Sequence, residues 1–298
     1  MHFSNLLQLI LLAAIWGGSF LLMRVSAVSL SPAAMIESRV LLAALFLLLV
    51  AQLLKKQLHL RQHWKHFLIL GLFNSALPFL LLAWSAKTLT ASMLSVLNAT
   101  SPIWGMLIGL LCRQSTMTVR SVLGLAIGIT GVTVLVGMDN VLTLKAAPLA
   151  ILTALGAAMS YGIASNYAHS AKTTVSSFDN AHGSMWAASL LILPIIPFSP
   201  ANTGVTTQII SAVILLGILC TGVAYLLYFR LIDALGAPSA LTVTFLVPVF
   251  GILWGHYLLG ESIGWHTIAG GMLVLIGTAL VTGFSIKTLF GQSRIAKD

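Results

Sequence analysis

The sequence predicts an all-α membrane protein of ten transmembrane helices, arranged as two inverted five-helix repeats. Three observations predict it: a composition too poor in charge to clothe a water-facing surface, ten apolar runs of membrane-spanning length, and a self-match at a fixed offset of 146 residues.

Of the 298 residues, 58% are hydrophobic and only 7% are charged, and the mean hydropathy is +1.02. A soluble domain carries about 25% charged residues, so the solvent implied here is lipid. The net charge of +9 sits in a few short loops and is not interleaved with aromatic residues as a nucleic-acid groove requires. It therefore reads as a determinant of membrane orientation, with no nucleic-acid partner. Cys112 and Cys220 lie in apolar runs, share no motif and read as small buried hydrophobes. The stretch Leu6–Val28 follows no basic region and ends without a small-residue cleavage site, so a retained first helix is expected.

A span needs about 20 apolar residues. Runs of that kind occupy 5–28, 33–54, 67–86, 90–112, 120–138, 146–169, 179–198, 208–232, 237–259 and 265–286. With the N-terminus inside, the cytoplasmic segments hold Lys55, Lys56, Arg61, Lys65, Arg113, Arg120, Lys172, Arg230, Lys287, Arg294 and Lys297. The outer segments hold Arg24, Lys87 and Lys145. Eleven against three predicts that both termini are cytoplasmic.

At an offset of 146, Gly71 falls on Gly217, Ala91 on Ala237, Pro102 on Pro248 and Gly105 on Gly251. Gly109 likewise falls on Gly255, Gly124 on Gly270 and Gly131 on Gly277. Apolar coincidences are cheap in such a chain, whereas prolines and glycines at one offset indicate duplication. An offset of 145 places Trp16-Gly17 on Tyr161-Gly162 and extends the match to the first span. Five spans is an odd number, so the second copy (141–298) enters the membrane from the side opposite to the first (1–140). Ser115, in a basic loop, aligns with Glu261, in a loop without Lys or Arg, as opposed orientations require. The series Gly124, Gly128 and Gly131 reads as close helix packing.

Polar chemistry enters the spans at a few points. Pro102 removes the helical partner of the Asn98 carbonyl, Pro248 that of Thr244 and Pro78 that of Asn74. Groups freed in this way must face protein or a lined cavity. The partner of Pro78 in the eighth span is Ala224, so the symmetry is expected to break there. Trp16, Tyr161 and Tyr225 lie in midspan, while Trp64, Trp84 and Trp265 read as interfacial anchors. Tyr161, Ser165 and His169 are spaced by four and form a polar stripe expected to face the interior.

Glu37 and Arg39 open the second span. Arg39 is expected to find a polar partner or the outer surface, and Glu37 an interfacial ion pair, with proton coupling as its other role. Arg230 and Asp233 read as an end-of-helix pair. His59, His63 and His66 fall in a basic stretch, Lys55–His66, that reads as a solvated loop rather than a metal site. No nucleophile–base grouping, Gly-rich phosphate loop or His-Glu-x-x-His occurs, so neither catalysis nor a cofactor is expected.

Trp16-Gly17-Gly18-Ser19-Phe20, Pro32 with Arg39-Val-Leu-Leu-Ala-Ala, the run Leu97–Pro102, and Leu259-Gly-Glu261 ahead of Gly270 and Gly277 together resemble the EamA family of the drug/metabolite transporter superfamily. The resemblance covers all ten spans. It implies a multi-pass protein of the bacterial inner membrane, with helices 1–4 and 6–9 around a central cavity and helices 5 and 10 outside it. It also implies export of a small metabolite, an amino acid or related compound, by a monomer or weak dimer. Trp16, Asn74, Asn98, Tyr161, Tyr225 and Thr244 would then fall on cavity-facing helices. The first copy departs from the pattern with Arg113-Gln-Ser115 in place of Leu-Gly-Glu, and the sixth span has Ser160-Tyr161-Gly162 where Trp-Ala is usual. Import of a quaternary amine such as choline, held by the three midspan aromatics, is the alternative.

Overall fold

Lipid offers backbone groups no hydrogen bonds, so each apolar run must satisfy its own N–H and C=O groups as a helix. The computed structural model describes residues 3–56, 58, 60–114, 116–137, 145–171, 175–200 and 203–283. Within them run α1 (Ser4–Ser26), α2 (Pro32–Leu53), α3 (Arg61–Ser85), α4 (Ala91–Leu111) and α5 (Val119–Gly137). The second half holds α6 (Ala147–Ser170), α7 (Ser177–Phe198), α8 (Thr207–Leu235), α9 (Val243–Leu259) and α10 (Trp265–Thr282). Of these, nine are long and apolar enough to cross a membrane; α9 is shorter and is preceded by a separate turn, Ala237–Ala240. Ser115, His59, Lys172, Lys287, Arg294 and Lys297 lie outside the described residues.

Local chemistry sets the boundaries. The side chains of Ser31, Thr90, Ser176 and Thr206 accept the backbone N–H three residues on and so cap α2, α4, α7 and α8. Gly260 takes φ +66, the left-handed geometry that ends α9. Leu60 begins a helix well before the expected start of the third span, so Arg61–His66 is helical rather than a solvated loop. His66 is buried there, its Nδ1 3.1 Å from the Tyr167 hydroxyl and its Nε2 2.9 Å from Asn180 Oδ1. The stretch reads as polar because only one face of that first turn meets α6 and α7.

Glycines decide how closely the helices approach. A Cβ on Gly124 would lie 2.7 Å from the Gly277 carbonyl oxygen, and one on Gly131 would lie 2.9 Å from that of Gly270. Helices α5 and α10 therefore meet backbone to backbone and run antiparallel. The other crossings come in repeat-related pairs. Gly17 rests on Val247 and Gly251 of α9, and Gly162 rests on Trp104 and Gly105 of α4. Gly71 meets Ser184 and Ala187 of α7, and Gly217 meets Arg39 and Leu42 of α2. Exchanging the two halves of the chain thus maps each crossing onto another.

A carboxylate also fastens the two halves together. Glu261, in the α9–α10 connection, accepts from the Ala91 N–H at 2.7 Å, the Ser92 N–H at 3.0 Å and the Ser92 hydroxyl at 2.6 Å. Its carboxylate meets the positive end of α4, where such a charge is favoured.

Replacing Gly277 with Leu is expected to lower the melting temperature of the detergent-purified protein, since overpacking of this kind costs ~1–3 kcal/mol; an unchanged melt would contradict the α5–α10 contact. Glu261→Ala is expected to lower it as well, by the ~0.5–2 kcal/mol of a lost helix cap, with Glu261→Gln falling between the two in the same melting assay.

Candidate functional site

The site is built around two interrupted helices. α4 runs as Ala91–Asn98 and Ser101–Leu111 with a turn between, and α9 follows the turn Ala237–Ala240 through Leu241 and Thr242. The sequence placed free carbonyls at Asn98, Thr244 and Asn74, and the structure corrects the first of these, which Ser101 engages. The Thr100 hydroxyl donates to the Leu97 carbonyl (2.7 Å), Ser101 to Asn98 (2.6 Å), and Thr278 of α10 to Ala99 (3.1 Å). In the second half, Thr242 donates to the Ser239 carbonyl (2.7 Å) and Thr244 to Leu241 (2.8 Å). Hydroxyls within a turn are the nearest donors where water is scarce, so they close the backbone. Pro102 sits in the first turn of its segment, where its missing N–H leaves no gap, whereas Pro248 lies inside α9. What the interruption leaves for a ligand is the side chain of Asn98, whose Oδ1 has no protein partner among the described residues.

The third and eighth helices carry a related irregularity that proline did not forecast. α3 is π-helical over Leu72–Ala76 and α8 over Leu215–Val223. Moving the first segment by 146 residues places it inside the second, so the symmetry expected to fail at Pro78 is kept, with Ala224 opening the next α-helical stretch as Leu77-Pro78 does. In α8 the wider turn lets the Thr221 hydroxyl donate to the Leu216 carbonyl (2.8 Å) and accept from Arg39 Nε (3.0 Å).

These irregular segments surround a chamber of about 870 Å³. Trp16, Asn74, Asn98, Tyr161, Tyr225 and Thr244 all line it, as do Pro102, Pro248 and Arg39; Pro78 and Glu37 do not. Both members of several repeat-related pairs line it: Asn98 and Thr244, Pro102 and Pro248, Asn74 and Cys220, Phe79 and Tyr225 and, at offset 145, Trp16 and Tyr161. The stripe Tyr161, Ser165 and His169 lies on its wall. One end is closed by buried Met23, Phe79, Leu82 and Thr221. The other end reaches exposed His169, Leu241, Thr282 and Gly283, at the ends of α6 and α10 and the start of α9. Asn74 Nδ2 donates to the Tyr225 hydroxyl (3.2 Å), and Trp16 packs on Tyr228 with ring centroids 5.3 Å apart.

The charged residues of the second span part company. Arg39, only 4% exposed, enters the chamber, donates from Nε to Thr221 and lays its guanidinium 3.8 Å from the centre of the Phe79 ring. Glu37 points the other way, into the α2–α7 contact, where it accepts from the Ser189 hydroxyl at 2.5 Å. The expected ion pair at Glu37 is therefore replaced by a hydrogen bond, because two residues along a helix turn the side chain by about 200°. Arg230 and Asp233 are both exposed and form no ion pair among the described residues, which corrects the expected end-of-helix pair. Cys112 is exposed, against expectation, and Cys220 is buried on the chamber wall. Trp64 and Trp265 are exposed as interfacial anchors would be, whereas Trp84 packs against the core.

Two features escaped the sequence reading: Arg39 as a chamber residue and the π-helical turn that carries Thr221. The first was legible in principle, since an Arg eight residues into an apolar helix with no acid on its own face needs an interior partner. The second had no local signal.

Comparison with known proteins agrees with this architecture. The EamA-like transporter family model matches residues 4–137 and 148–283. The chain is similar to the uncharacterized transporter YoaV of Bacillus subtilis, 25% identical over 283 residues and covering 93% of this chain and 96% of that protein. It is also similar to an uncharacterized transporter of Archaeoglobus fulgidus, 25% identical over 277 residues, covering 92% and 96% respectively. A solved crystal structure shares the fold with TM-score 0.66 at 18% identity, over 94% of this chain and 96% of that one. With both halves of the chain matched by one family model, the protein belongs to the EamA-like transporter family and is a multi-pass membrane transporter rather than an enzyme.

Proposed function

We propose that this transporter is a secondary carrier that exports a small organic metabolite across the bacterial inner membrane by alternating access. In this reading two inverted five-helix units, 1–140 and 141–298, rock about the chamber. The observation that carries it is the position of the chamber: its wall is shared by repeat-related positions of both halves, and it is open at one end. A carrier needs a site both units can close upon. The antiparallel course of the equivalent helices α5 and α10 supports the inversion.

The substrate site is assigned to Trp16, Asn74, Asn98, Tyr161, Tyr225 and Thr244. Asn98 and Thr244 supply polar contacts from the two interrupted helices, and the aromatic residues supply apolar surface. Among the described residues the open end shares its side of the bundle with Lys55, Lys56, Arg61, Lys65, Arg113 and Arg120. The excess of positive charge supports a cytoplasmic placement for that end and for both termini. Loading from the cytoplasm is what an exporter requires. Import of a quaternary amine fits less well, because a cation would share the chamber with the Arg39 guanidinium. Glu37 lies off the substrate route, and one chain encloses the chamber by itself.

Asn98→Ala and Thr244→Val, reconstituted in liposomes and assayed by counterflow with labelled amino acids and organic carboxylates, are expected to lower flux about three- to tenfold, the worth of one hydrogen bond, with unchanged membrane abundance. Wild-type flux in both would sink the site assignment. A reporter fused to the C-terminus is expected to read as cytoplasmic, and a periplasmic reading would reverse the orientation.

A further inference from the structure

The chamber is symmetric in shape but not in charge. Gly217 rests on the Arg39 carbonyl and Leu42, and its repeat mate Gly71 rests on the Ser184 carbonyl and Ala187. The position equivalent to Arg39 is therefore Ser184, which is buried in α7 and does not line the chamber. A guanidinium thus stands in the wall with no repeat-related counterpart, and among the described residues no Asp or Glu lines the cavity.

The guanidinium is held but not neutralised. Nε is bound to Thr221 at 3.0 Å, and Nη1 meets only the Met23 sulfur, a weak acceptor, at 3.7 Å. Nη2 has no hydrogen-bond partner among the described residues. The Phe79 face offsets part of the desolvation, since a cation–π contact strengthens when shielded from water. Buried charges are otherwise paired, because an isolated one is costly to remove from water. Thr221 and Phe79 fix the fork in position, while its free N–H edge is left for a carboxylate to engage in bidentate fashion.

We propose that the cargo is a small organic anion, a carboxylate bound by Arg39 at the closed end with an apolar body lying against Trp16, Phe20 and Tyr228. This rests on the transport reading and narrows it, because the chamber offers no carboxylate to a substrate ammonium group. Its volume, about 870 Å³, admits such a molecule with room to spare.

The test is binding to the detergent-purified full-length chain, with 3-phenylpropionate, its neutral amide and phenylalanine as probes. The acid is expected to bind about ten- to a hundredfold tighter than the amide, the worth of a charge-assisted hydrogen bond, and tighter than phenylalanine. Arg39→Gln is expected to abolish that preference, bringing acid and amide to similar affinity, and Arg39→Lys to keep part of it. The proposal is overturned if wild type does not bind the acid saturably, binds the amide or phenylalanine as well, or if Arg39→Gln keeps the preference. Should Arg39→Gln fail to fold, the wild-type comparison decides alone. Anion binding without flux of any solute in liposomes would overturn transport and keep the site; flux without anion preference would do the reverse.

Discussion

In hydrocarbon an unpaired backbone carbonyl is costly, and the whole arrangement depends on that penalty being avoided where helices break. The breaks in α4 and α9 open the chamber, and each is tolerated because a hydroxyl lies within reach: Thr100, Ser101 and Thr278 on one side, Thr242 and Thr244 on the other. Thr278 does this from α10, so the helix farthest from the chamber in sequence order still closes its wall. Those carbonyls are thereby paired, and the side chains of Asn98, Trp16 and the tyrosines Tyr161, Tyr225 and Tyr228 line the cavity.

Packing follows from the same economy. Lipid tails are as apolar as leucine, so helices associate by close approach rather than by hiding greasy surface. Glycines at the crossings allow that approach, and because they recur at offsets of 145 and 146, the crossings recur too. Glu261 adds a polar fastening at the start of α4; the repeat-related Ser115 lies outside the described residues.

Most of the fold was legible in the amino acids. Ten apolar runs gave ten helices, with α9 the shortest, and the glycine matches located the contacts between them. The chamber residues were legible wherever a periodicity or a proline marked them: the Tyr161–Ser165–His169 stripe and the Asn98 and Thr244 pair all line it. The failures share a cause. Proline reports a missing donor, but not whether a nearby hydroxyl repairs the gap, so the Asn98 carbonyl was misjudged. The π-helical turns lie against α2 and α7, and no residue in α8 announces them. Glu37 and Arg39 both open the second span, and they part because a helix sends neighbours two apart to different faces.

The unequal pair Arg39 and Ser184 carries an evolutionary consequence. After a gene doubles, the glycine contacts constrain both copies alike, because a change at any crossing displaces two helices. A chamber side chain is under no such shared restraint. One codon in one copy sets the sign of the potential that a passing solute meets, and another can reverse it while the scaffold stays as it was. Descendants of a single ancestral scaffold can in this way drift apart in cargo long before they drift apart in shape.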